Sequence, residues 1–185
     1  MNVFKNKSIE NELLNAKKIA IAGHIRPDGD CIGSCTALYL YLNECRRELG
    51  LKQVDVYLEP FGPEFNILSG TGNIKHNCDN DESYDVFISL DCSSPDRLGK
   101  AIKYYNMAKR TICIDHHITN DYFADINHVV ADASSTCEVL FNLMDIDRIS
   151  RETAQSLYTG IVHDTGMFRN SSTSDKTMEI AAQLI

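Results

Sequence analysis

The chain has 185 residues, 43% hydrophobic and 24% charged, a composition that supports one ordinary soluble domain with a real core. Its net charge of -8 argues against an extended duplex footprint, which needs many Lys and Arg on phosphates, but suits a short oligonucleotide or small phosphorylated ligand. No apolar run is long enough to span a bilayer, and MNVFKNKSIENELLNAKK lacks a signal-peptide centre, so a cytoplasmic protein without membrane attachment is expected.

Residues 8–17 predict a short polar helix leading into a strand at 18–23 (KIAIAG). The loop HIRPDGD follows. Residues 31–49 are then apolar nearly all round and end at Gly50, which predicts one buried helix with Asp28 or Asp30 near its N-terminus. Tyr39, Tyr41 and Leu42 belong to its core-facing part. Residues 53–58 (QVDVYL) alternate in pattern and predict a second strand, punctuated by Pro60 and Pro63. A short helix at 65–68 and a Gly70/Gly72 turn come next. Residues 85–90 (DVFISL) predict a third strand ending on Asp91, followed by a helix over 95–107. Residues 110–114 (RTICI) predict a fourth strand, ending on Asp115.

The last third reads as helical. Ser135-Thr136-Cys137-Glu138 matches a capping box before VLFNLM, and Ser150 is placed to cap RETAQSLYTGIVHD. Ala154, Leu157 and Ile161 form the apolar face of that second helix, and Asp164 continues their spacing. A carboxylate on a buried face is costly unless paired, and a metal ion is one way to pair it. The chain stops in an apolar helical stretch, EIAAQLI, without a terminating signal, which points to one domain of a longer protein continuing C-terminally. Seven cysteines without a CxxC pair or a secretion signal read as reduced thiols that behave as small hydrophobes.

Strands alternating with helices, each strand a continuous apolar run, indicate an α/β fold. The sheet is expected to be doubly wound and mostly parallel, with helices on both faces and a helical C-terminal part. Such sheets bind ligands beyond the carboxyl ends of their strands, at a topological switch point. Residues 24–30, Asp91 and the trio 115–117 all fall there. Four carboxylates with two or three imidazoles suit manganese-like or zinc-like ions. The spacing His24-x-x-x-Asp28-x-Asp30 lets a tight loop present three ligands, Asp91 could bridge two ions, and His116 with Asp164 could complete the second. Two ions can hold a hydroxide between them and clamp phosphoryl oxygens, so no Ser or Cys nucleophile is needed, and no GxSxG, P-loop or GxGxxG motif is present.

Plainer roles stand beside these. Asp91 could cap a helix starting at SSP, and Asp115 could be a strand-end turn residue. His163 reads as structural, His76 and His128 as solvated loop residues, and Arg26 and Arg97 as solvated cations.

The segments HIRPDGDCIGS, SLDCSSPDRLG, IDHH, ADASST and GIVHDTGMFR resemble, in order and spacing, the motifs of the DHH phosphoesterases, from about Ile19 to Ser172. The resemblance implies that His24 and Asp28 bind one metal, that Asp30, His116 and Asp164 bind the other, and that Asp91 bridges them. His117 would face the substrate phosphate and assist the leaving group, with Asp115 orienting the histidines. GIVHDTGMFR is most similar to the subgroup that degrades very short RNA oligomers and dephosphorylates phosphoadenosine phosphate, which implies Arg169 and Phe168 as substrate contacts. It further implies two divalent ions, manganese before magnesium, and leaves room for a homodimer. Residues 1–185 would be the DHH catalytic domain, and a smaller DHHA1-like substrate-binding domain would lie outside this chain.

Other members of the family would keep the core and change the substrate: a cyclic dinucleotide phosphodiesterase, a single-strand DNA exonuclease or a manganese pyrophosphatase. A processive exonuclease needs a longer basic track than this segment has. A cyclic-dinucleotide enzyme often carries membrane and sensor segments first, whereas Met1 lies a short way before the first strand. A non-catalytic nucleotide-binding module would have lost ligands, and all of them are present.

Overall fold

Five- and six-residue apolar runs between polar loops are long enough to cross a sheet and too short for buried helices, and the computed structural model, which describes residues 3–185, forms strands from them. The strands are β1 (Lys18–Ala22), β2 (Gln53–Tyr57), β3 (Ile74–Lys75), β4 (Val86–Leu90), β5 (Arg110–Asp115) and β6 (Ile126–Val129). They form one sheet in the order β3-β2-β1-β4-β5-β6, and every pairing is parallel. Between β1 and β4 the order reverses direction. That reversal is the switch point at which a ligand crevice opens.

Alternation along the strands feeds two cores. Ile19 and Ile21 of β1, Ile88 of β4 and Ile112 of β5 join the larger cluster. It is closed by α1 (Lys7–Asn15), α2 (Gly29–Glu44), α5 (Thr136–Leu143), α6 (Arg151–Asp164) and α7 (Asp175–Leu184). Ala20, Ala22 and Phe87 face the other side, where the small alanines admit Tyr57, Tyr84 and Tyr104. Their hydroxyls need partners once buried. Tyr84 donates to Asp55 Oδ2 at 2.6 Å, and the Tyr57 and Tyr84 oxygens are 2.6 Å apart. The helix pair that carries the site is α2 with α6. Gly33 is what permits their approach: a Cβ there would lie 2.7 Å from the Ser156 carbonyl oxygen.

Several expectations shift. The helix expected over 31–49 starts two residues earlier, ends at Glu44, and gives way to a separate turn, α3 (Arg46–Leu49). The helix expected over 95–107 is a 3-10 turn at Pro95–Ala101, broken at Gly99 (φ 54), followed by α4 (Ile102–Met107). Both edge strands, β3 and β6, were unforeseen because two and four residues carry too little pattern. β2 does not alternate in burial, since Asp55 is bonded by Gln53, Tyr84 and Lys75 and so is tolerated inside. His128 is no loop residue but a half-buried member of β6. The capping box at Ser135 is only half made. Ser135 accepts from the Glu138 N–H, but the Glu138 carboxylate turns to the Ser134 and Thr177 hydroxyls at 2.6 and 2.7 Å, tying α7 to α5. Ser150 caps α6 as expected. The seven cysteines are free, and among the described residues no helix is long and apolar enough to cross a membrane.

Candidate metal centre

Each strand bordering the switch point delivers polar residues as it ends. Beyond β1 the chain runs through His24 to Asp28, whose side chain caps α2 by accepting from the Asp30 and Cys31 N–H groups. Asp30 sits in the first turn of that helix. Asp91 follows β4 with φ 53, a left-handed turn that a short polar residue tolerates and that swings its carboxylate into the crevice. β5 ends on Asp115, followed by His116 and His117. Asp164 is the last residue of α6.

These groups converge. His24 Nε2 lies 3.4 Å from Asp91 Oδ2 and 3.7 Å from Asp28 Oδ1. His116 Nε2 lies 3.6 Å from Asp91 Oδ1, 3.5 Å from Asp164 Oδ2 and 4.0 Å from Asp30 Oδ2. Asp91 therefore stands between two imidazoles. Two groups of donors, Asp91-His116-His117 and Asp30-His116-Asp164, each offer atoms within 4.8 Å of one another. The floor of the crevice, Asp30, Asp91 and Asp115, is buried, while Asp28, His117 and Asp164 are partly open at its mouth.

The histidines are pre-oriented. His24 Nδ1 is 2.8 Å from the Ile25 carbonyl oxygen and His116 Nδ1 is 3.3 Å from that of Ala133. A carbonyl only accepts, so in the neutral ring Nδ1 carries the proton and Nε2 turns its lone pair inward. His117 Nδ1 is held instead by Asp115 Oδ1 at 2.7 Å, which leaves its other nitrogen for the crevice. Asp115 also accepts from the His116 N–H and, through Oδ2, from the Asn120 side chain at 2.7 Å.

The charge balance tests whether cations fit. Among the described residues no Lys or Arg forms an ion pair with Asp28, Asp30, Asp91 or Asp164; the basic side chains beside them are imidazoles. Burial, then the Asp91 charge, pushes the Asp30 carboxyl well above its usual range. Burial also raises Asp164, against His116 and with Asp91. Burial disfavours a charged His24, yet Asp28 and Asp91 lift it to about 11. Asp28 goes the other way: burial opposes its charge, but His24 and the Cys31 N–H hold it below its usual range. Asp30 and Asp164 are the carboxylates short of positive charge, and oxygen-rich donors with imidazole suit divalent ions.

Two residues unforeseen in the sequence, Thr136 and Asn120, support the cluster, and His163 is structural as expected. Thr136 opens α5. Its N–H donates to Asp30 Oδ2 at 2.6 Å, beside that of Cys137 to Oδ1 at 3.0 Å, and its hydroxyl donates to Asp91 Oδ1 at 3.1 Å. The motif ADASST pointed there, but the expected role stopped at the caps. Asn120, buried three residues after His117, had no sequence signal beyond its loop. His163 packs on the open face of Gly29, where a Cβ would lie 2.4 Å from its ring, and stacks near Phe65. Arg169 and Phe168 are held locally: Arg169 Nε donates to the Gly166 carbonyl, and Phe168 packs near Tyr158. Met167 and Phe168 both adopt left-handed backbone (φ 59 and 61) in the turn after Asp164. Beside His24 lies a cavity of about 170 Å³, with Glu59, His76 and Lys100 in its wall.

The family described as "DHH family, N-terminal domain" matches residues 18–161. The probable bifunctional oligoribonuclease and PAP phosphatase NrnA of Streptococcus mutans is 31% identical over 169 residues, covering 90% of this chain and 52% of that protein. The bifunctional oligoribonuclease and PAP phosphatase NrnA of Thermus thermophilus is 29% identical over 90% of this chain and 49% of its own. The chain thus spans about half the length of the curated relatives it matches. An exopolyphosphatase-related protein of Bacteroides fragilis superposes with a TM-score of 0.86 at 27% identity, covering all of this chain and 57% of that one. A putative family II inorganic pyrophosphatase of Methanococcus jannaschii, at 18% identity and a TM-score of 0.65, shares the fold.

Proposed function

This chain belongs to the DHH family, and from that premise we propose that it is the catalytic part of a cytoplasmic, metal-dependent phosphoester hydrolase for short oligoribonucleotides and phosphoadenosine phosphate. The observation that carries the reading is the convergence of Asp28, Asp30, Asp91 and Asp164 on His24 and His116 with no Lys or Arg paired to them among the described residues. The relatives' names supply the substrate class.

Asp28 and His24 would hold one divalent ion and Asp30, His116 and Asp164 a second, with Asp91 shared. Bound there, two ions, manganese by the mixture of donors, supply Lewis-acid charge to the phosphoryl oxygens and acidify the attacking water. The protein's own groups do the rest. Ile25 and Ala133 fix the rings of His24 and His116 so that little reorganisation accompanies binding. Asp115, itself steadied by Asn120, sets His117 at the mouth, where its free nitrogen would hydrogen-bond the substrate phosphate and pass a proton to the leaving oxygen. Arg169 and Phe168, just past Asp164, would meet the nucleotide once their local contacts open.

The full-length protein should release mononucleotides from a phosphorylated diribonucleotide, and phosphate from phosphoadenosine phosphate, in manganese. Chelation should stop both and added manganese restore them. Turnover indifferent to chelation would refute the reading.

A further inference from the structure

One donor near the cluster has no part in that chemistry. Cys31 is fully buried in the first turn of α2, one residue after Asp30, and its Sγ lies 3.9 Å from the His24 carbonyl oxygen. Space for the thiol is made by Gly23, where a Cβ would come within 2.2 Å of the sulfur. Sγ, a nitrogen of His24 and an oxygen of Asp91 all lie within 4.8 Å of one another, and all three residues are buried. In a tetrahedral site with zinc-to-ligand bonds of 2.0–2.3 Å, donors sit roughly 3.5 Å apart, so small side-chain rotations would close this triad on an ion.

We propose that His24, Cys31 and Asp91 form a thiolate site for a thiophilic divalent cation, zinc or cadmium, which displaces the harder ion from His24. The inference rests on His24 and Asp91 being cation donors, as in the reading above, and adds a means of inhibition that the carboxylates alone would not give. Manganese and magnesium prefer oxygen and leave a thiol alone, whereas zinc and cadmium take thiolate. On binding, the S–H bond breaks, the sulfur–metal bond forms, the proton passes to solvent and no electron is transferred. Burial, Cys35 and Asp91 oppose a free thiolate here, so the sulfur gives up its proton only to an ion that ligates it. With its sulfur ligated, the ion is held more tightly than by the oxygen and nitrogen donors alone, and it occupies a position that a catalytic ion needs.

Cys137 provides a control. Its sulfur also adjoins the cluster, 3.8 Å from the Asp30 carbonyl oxygen, but it shares no such triad among the described residues. Cadmium added to the metal-free protein should produce thiolate-to-cadmium charge-transfer absorption in the ultraviolet. The band should persist in Cys137→Ser and vanish in Cys31→Ser. Zinc should bind the Cys31→Ser variant at least about 10-fold more weakly, since a direct ligand is worth more than the 10–100-fold carried by residues that only support one. If Cys31→Ser does not fold, cadmium NMR on the unaltered protein reads sulfur coordination directly. A protein that binds manganese but gives no cadmium–thiolate signal overturns this inference alone, as does a band that survives in Cys31→Ser. A protein that binds neither cation overturns the metal reading of the cluster and this inference with it.

Discussion

Replacing Thr136 by valine removes one hydroxyl and leaves the side-chain volume almost unchanged. The lost group is the donor to Asp91 Oδ1 at 3.1 Å, while the backbone N–H to Asp30 Oδ2 at 2.6 Å remains. Hydrogen bonds to charged groups contribute about 1.5–3 kcal/mol, and Thr136 is fully buried, so water cannot take the donor's place. At about 1.4 kcal/mol per factor of ten, that predicts manganese binding weakened by roughly 10–100-fold, the usual range for a residue that orients a ligand. Calorimetric titration of the metal-free protein measures it. The rise in unfolding temperature on adding metal gives an independent check, because a 100-fold weaker site loses about 2.3 kcal/mol of ligand-linked stability, from about 2.7 to about 0.4, when metal is at 100 times the original Kd. Thr136→Ser should recover most of the affinity. If the valine variant binds manganese like the parent, the hydroxyl does not position Asp91. If serine fails as badly as valine, the methyl group's packing is what matters and the argument is wrong.

Asp91→Asn should lower hydrolysis more than about 100-fold while the protein still folds, because asparagine tolerates the same left-handed backbone. Activity assays and thermal unfolding in chelator would measure the two effects, and full activity in a folded variant would count against the role given to Asp91. Gly160→Ala places a Cβ 2.2 Å from Cys137 Sγ and 2.8 Å from Asp30 Oδ1, so chemical denaturation should show a loss of about 1–3 kcal/mol and calorimetry weaker metal binding. Asp85, bonded by the Lys109 ammonium and by the Lys17 and Lys18 N–H groups, is held from an ordinary 3.8 down to about 2. Its stabilisation is therefore present above the unfolded carboxylate value and fades as pH falls towards 2. Asp85→Asn should cost about 1–2 kcal/mol at neutral pH, solvent screening of this partly exposed pair included, and almost nothing near pH 2 in denaturant titrations.

How much of this was legible depended on whether the signal was local. Strand ends are local, so residues 24, 91 and 115 fell at one edge of the sheet as soon as the apolar runs were ordered. Asp164 was legible through helical spacing from Ile161. Thr136 was not. Its contribution joins a backbone N–H on one helix to Asp30 on another, 106 residues away, and a side-chain pattern carries no information about N–H groups. Cys31 is core, as an apolar helix predicts for a thiol, and only the fold adds that it lies beside His24 and Asp91. The edge strands were lost because β3 borrows its order from β2 rather than from its own two residues.

The burial gradient across the cluster also limits what an ion would do to the structure. Asp30 and Asp91 are fixed by Thr136 and the rest of α5's first turn, and Asp115 by the Asn120 and His117 side chains and the His116 N–H, whether or not a metal ion is present. Those bonds, with the isoleucine core beneath them, oppose the repulsion between carboxylates. Among the described residues Asp164 has no comparable donors to its carboxylate, and it sits at the last turn of α6, ahead of the turn containing Met167 and Phe168 in left-handed backbone. A bound cation would therefore act most on the Asp164 carboxylate and leave the floor almost unchanged.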